Sequence, residues 1–146
     1  MPPPVDNRAV QLTSSLNLRE LQRYLNRIGD RWPLQLVMLG GARVADLQAD
    51  DPNPPAGRLR AVSRGAEYVV VLVSDGFDGM PWLERVYHAS ALWDGLEMGD
   101  AADIHCYTAA EYLRRRTSTP AVQAVAEHGL LLFADSEPFN AAAERG

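Results

Sequence analysis

The run Ala66-Glu67-Tyr68-Val69-Val70-Val71-Leu72-Val73-Ser74-Asp75 constrains this chain more than any other stretch. Its centre is valine-rich and shows no polar alternation, which is the pattern of a strand covered on both faces. A strand of that kind needs neighbours in a sheet and helices above and below it. Two further apolar runs supply the neighbours. Leu34 to Leu39 precedes it and ends at Gly40-Gly41-Ala42-Arg43, and Ala102-Asp103-Ile104-His105-Cys106-Tyr107 follows it. An acid opens each later run, Glu67 on one and Asp103 on the other.

Helical patterns separate the runs. Leu18, Leu21, Leu25 and Ile28 recur at three- and four-residue spacing, with Asn17 and Glu20 placed as a capping pair and Gly29-Asp30 as the stop. Pro81 suits the first turn of a helix running to about Met98, with Leu83, Val86, Tyr87, Ser90, Trp93 and Leu96 as its apolar face and Gly99 as its end. Thr108 and Glu111 cap a further helix that closes on Arg114-Arg115-Arg116, where positive side chains complement the carbonyl end of the dipole. Thr119-Pro120 starts a helix from Ala121 to His128, and Leu130 to Phe133 reads as a last strand. The expected fold class is α/β (α+β): one domain, a small mixed sheet of about four strands with helices packed on it.

With 146 residues the chain has length for one ordinary domain. Residues 1–15, with Pro2, Pro3 and Pro4, are expected to form a loose arm, 16–135 the domain and 136–146 a tail. Asp46 to Gly57, with three aspartates and three prolines, reads as a mobile loop. A net charge of -5 gives no bulk attraction to nucleic acid or to an anionic membrane. No run reaches the roughly 18 apolar residues of a membrane span, and no secretory signal opens the chain. The lone Cys106, set in an apolar run, fits a buried thiol in a reducing, cytoplasmic setting.

In this order of elements the chain resembles the minimal nucleotidyltransferases of the DNA polymerase beta superfamily. Leu39-Gly40-Gly41-Ala42-Arg43 stands where that family has Phe-Gly-Ser-Arg, and Glu67 and Asp103 stand at two of its three carboxylates. The resemblance spans roughly Leu18 to Phe133. It implies a nucleotide site in which Glu67 and Asp103 are catalytic and Gly40, Gly41 and Arg43 bind phosphate. It further implies an NTP substrate with Mg²⁺ or Mn²⁺. His105, two residues after Asp103, shares its face of the strand, so Glu67, Asp103 and His105 form a candidate single-ion set.

Two departures bear on activity. Gly41 replaces the family's serine, removing a hydroxyl donor to the triphosphate, and Val69 replaces the second carboxylate of its Asp-x-Asp pair. The expected function is therefore nucleotide binding with impaired or lost transfer of a nucleoside monophosphate to a hydroxyl. The alternative is a non-catalytic protein-binding module, such as the antitoxin partner of a helical toxin, or a homo-oligomer. Each residue also has an ordinary reading: a glycine turn, a solvated arginine, a strand-end acid at Glu67, a turn acid at Asp103 and a hydrogen-bonded strand histidine at His105.

Overall fold

The computed structural model describes residues 16–47 and 66–134. Helix α1 (Leu18–Arg31) leads into β1 (Leu36–Gly40), followed by α2 (Ala42–Leu47) and β2 (Tyr68–Val73). A 3-10 turn at Asp75–Phe77 precedes α3 (Trp82–Ala91) and the single turn α4 (Gly95–Met98). Strand β3 (Ala102–Tyr107), α5 (Ala109–Ser118), α6 (Pro120–His128) and β4 (Leu130–Ala134) complete the order. The result is one small mixed α/β domain whose four-stranded sheet has the order β3-β2-β1-β4.

β1 pairs antiparallel with β2 and with β4, while β2 and β3 run parallel. A parallel pair of neighbours needs a long crossover, and α3 with α4 supplies it. All residues of β1 and β2 are buried because both faces of the sheet are covered. On one face Tyr24 of α1 and Tyr68 of β2 meet the edge of Trp93, with ring centroids 5.1 and 5.2 Å away. On the other, the Tyr112 hydroxyl of α5 points at Met38 Sδ at 3.6 Å, and α6 packs across β1 and β2.

Helix α3 lies along the outer edge of β3. Its first residue, Trp82, leans on Tyr107, and its last turn offers the Ala89 carbonyl to the Tyr24 hydroxyl at 3.0 Å. Edge strands leave backbone groups unpaired, and here a side chain takes one of them. Arg85, 7% exposed, donates to the carbonyls of Cys106 at 3.3 Å and Met80 at 2.9 Å, and to the Glu111 carboxylate at 2.7 Å. The second half of that tie is the Thr108–Glu111 capping box at the start of α5, formed as the sequence predicts.

Several local expectations are corrected. α1 runs through Gly29-Asp30 and ends at Arg31, because Trp32 precedes Pro33 and is held extended. Its buried face is Glu20, Leu21, Tyr24 and Ile28, with Leu18 exposed, and Glu20 is ion-paired with Arg27 and Arg23 instead of closing a capping box. The helix expected from Pro81 to Met98 breaks at Leu92–Asp94, where Asp94 caps a new turn by accepting from the Glu97 amide. Its apolar face is the expected one only in part: Val86 and Trp93 pack against the core, but Leu83, Tyr87 and Leu96 are 79%, 71% and 97% exposed, and Arg85 and Ala89 turn inward. Asp46 belongs to the last turn of α2. The expected arm, the rest of that loop (48–57) and the tail lie outside the described residues.

Candidate functional site

The turn after β1 is built around Gly41, whose φ is +104°, a conformation costly for any residue with a side chain. A Cβ there would lie 2.6 Å from the Glu67 carbonyl oxygen, so the start of β2 closes directly onto the glycine. The first amides of α2 are taken up by the same segment: Ala42 donates to the Ala66 carbonyl at 2.8 Å and Arg43 to the Glu67 carbonyl at 3.1 Å. Gly40 lies opposite Val69, and Val69 lies opposite Asp103, so the three stand in one row across three adjacent strands.

Around that row the charged groups are already paired. Arg43 approaches the Glu67 carboxylate, Nε to Oε2 at 3.5 Å, and its Nη1 donates to the Tyr68 hydroxyl and to the Met98 carbonyl, each at 3.0 Å. Tyr68 donates to the same carbonyl at 2.6 Å, and the guanidinium stacks over the Tyr68 ring at 5.0 Å. Gly99, with φ +92°, leaves room for this guanidinium, since a Cβ would lie 2.7 Å from Nη1. Arg43 thus ties the β1–α2 turn to the C-terminal end of α4, where a cation suits the exposed carbonyls.

Asp103 and His105 form the second pair. Nε2 of His105 lies 3.0 Å from Asp103 Oδ2, and Nδ1 lies 3.2 Å from the Tyr107 hydroxyl. The hydrogen bond from His105 holds the Asp103 carboxyl below the ordinary aspartate range, so the carboxylate accepts and Nε2 carries the proton. In neutral His105, Nδ1 then accepts from the Tyr107 O–H, whose pKa burial raises. Asp103, His105 and Tyr107 are therefore one hydrogen-bonded line along one face of β3.

The structure brings Gly40 and Asp103 into one row and seats Glu67 beside Gly41 and Arg43. It joins Glu67 to Arg43 and Asp103 to His105. Among the described residues no three His, Cys, Asp or Glu side chains gather as a metal-binding group. With Val69 in the row, Glu67 paired with Arg43 and Asp103 hydrogen-bonded by His105, this donor set does not fit a two-ion centre.

A cavity of about 560 Å³, not anticipated from the sequence, lies beside the end of β3. Trp82, His105 and Tyr107 form its aromatic wall, and Arg85, Glu111, Arg114, Arg115 and Thr119 its polar one. Strand alternation from Asp103 to Tyr107 was the available signal. The cavity itself is not encoded locally, because Trp82 meets Tyr107 and the arginine run meets β3 only in the folded chain. Cys106, on the opposite face of β3, is buried, and burial pushes its thiol up to about 12. No described helix is long and apolar enough to cross a membrane. Compared with protein-family models, curated proteins and solved structures, the chain matches none.

Proposed function

We propose that this chain is a nucleotidyltransferase-like domain that binds a nucleotide and has lost efficient nucleotidyl transfer. The observation that carries the reading is the row Gly40–Val69–Asp103. The row sets the glycine turn at the end of β1 and an acid near the start of β3 on either side of β2, with a β2 valine between them where a second ligand is needed for ion-dependent transfer. Phosphoryl transfer depends mostly on positioning and on charge stabilisation by the ions, so a row lacking one carboxylate forfeits the rate before it forfeits the binding surface. The pairing of Glu67 with Arg43 and the hydrogen bond from His105 to Asp103 support the same conclusion, because both acids already have partners within the chain.

Thermal unfolding with and without ATP tests it. A ligand held at about one hundred times its Kd stabilises the native state by about 2.7 kcal/mol, a rise in Tm of about 5–10 °C for a domain of this size. The rise is expected with ATP alone and is expected not to grow on adding Mg²⁺ or Mn²⁺. Label from an α-phosphate-labelled NTP is expected to reach neither the protein nor an added oligonucleotide. Transfer of label, or no stabilisation by any of the four NTPs, overturns the proposal.

A protein-binding role is favoured by a separate observation. Leu83 and Tyr87 stand one turn apart on α3 and are mostly exposed, and Leu96 on α4 is 97% exposed. Such a stripe suits a helical partner or a second copy. Under this reading, replacing Leu83 and Tyr87 with glutamate abolishes association in sedimentation while leaving Tm unchanged.

A further inference from the structure

The cavity beside the end of β3 is a second site, joined to the row at Gly40 through the His105–Asp103 hydrogen bond. Tyr107 stands four residues beyond Asp103, opposite Val73 at the far end of β2. What the cavity accepts follows from which of its groups remain free. Both ring nitrogens of His105 are engaged, one by Asp103 and one by Tyr107, so His105 offers its ring and no lone pair. Glu111 is held by Arg85 and by the Thr108 amide at 2.8 Å. Desolvation alone would raise its pKa, but these bonds outweigh it and keep the carboxyl ionised and occupied. Arg85 is consumed by Glu111 and two carbonyls.

Two guanidiniums are left. Arg114 and Arg115 line the cavity, are exposed, and form no ion pair with any described carboxylate. Every one of the 14 basic residues in this chain is arginine, the side chain whose planar fork matches phosphate and carboxylate oxygens. In the same lining, Trp82 and Tyr107 lie 5.3 Å apart at an interplanar angle of 32°, with the His105 ring 6.4 Å from Trp82. Trp82 keeps part of its ring open to solvent at the mouth. A volume of 560 Å³ falls within the range of sites that enclose small organic ligands.

We propose that this cavity binds a planar-ring phosphate monoester, with the ring against Trp82 and Tyr107 and the phosphate dianion on Arg114 and Arg115. A cation is disfavoured because no lining carboxylate among the described residues is free. A dianion matches the two uncompensated positive charges, and an aromatic ring matches the aromatic wall of the same cavity.

Phenyl phosphate is the probe, followed through the Trp82 indole and His105 ring resonances of the full chain. Both are expected to shift saturably and with one affinity. Inorganic phosphate, which lacks the ring, and benzoate, which carries one charge, are each expected to bind at least about tenfold more weakly. R114Q/R115Q is expected to weaken phenyl phosphate by about tenfold or more, and W82A by about tenfold, while W82F stays within about twofold. Arg114 and Arg115 are exposed, so their replacement leaves the fold intact, which an unchanged Tm verifies. The proposal is overturned by shifts that do not saturate, by phenyl phosphate affinity unchanged in R114Q/R115Q, or by inorganic phosphate binding as tightly as the ester.

Discussion

The Asp103 carboxylate lies 3.0 Å from Nε2 of His105, its neighbour two residues along the same face of β3. An acid expected to bind an ion is thus spent on orienting an imidazole. Because Asp103 is 55% exposed in its side chain, the bond is read better from titration than from stability. The folded-state pKa lies below the ordinary aspartate value, so its stabilising contribution is present above that value and is lost as pH falls through the depressed one. The carboxyl resonance of Asp103 should titrate below the ordinary range in the wild type and return toward it in H105F. An unchanged midpoint in H105F would mean that His105 is not its partner.

Gly41 and Gly79 separate backbone strain from crowding. Both have positive φ, but nothing lies within 4 Å of a Cβ at Gly79, whereas one at Gly41 meets the Glu67 carbonyl at 2.6 Å. Gly79→Ala is expected to cost only the conformational penalty, about 1–2 kcal/mol. Gly41→Ala adds a backbone collision and is expected to cost about 2–5 kcal/mol by urea denaturation. Equal costs would place the start of β2 farther from the turn.

Arg85 joins α3, β3 and α5. Arg85→Met keeps much of the buried stem but strands the Cys106 and Met80 carbonyls and frees Glu111. A loss of about 2–4 kcal/mol is expected, with Glu111→Gln costing less because that carboxyl reaches solvent. Chemical denaturation of the two variants checks the order.

Cys106 is buried on the Ile104 side of β3, and its thiol is pushed up to about 12 by burial. Little thiolate exists near neutral pH, and little reagent reaches it. Iodoacetamide at mildly alkaline pH is expected to leave Cys106 unmodified in the folded protein over about an hour and to modify it readily in urea. Rapid alkylation of the native protein would show that this face of β3 opens.

The strands were legible because their signal is local. An unbroken valine-rich run must be covered on both faces, wherever the covering comes from, and Tyr68–Val73 is. The α5 capping box was readable for the same reason, since Thr108 and Glu111 are three residues apart. The inward face of α3 was not, because the helix runs along a sheet edge with an unpaired carbonyl. A guanidinium that bonds Cys106 outranks the burial of Leu83 and Tyr87 there.

The sequence by itself determined the fold class and the order of strands along the chain, because apolar periodicity and turn chemistry act over a few residues. Only the tertiary structure decided what the charged side chains do. Arg43 meets Glu67 across 24 residues and Met98 across 55, and Arg85 meets Glu111 across 26. Whether an arginine or an acid is free for a ligand depends on which opposite charge the folded chain brings within hydrogen-bonding distance, and no spacing along the sequence encodes that.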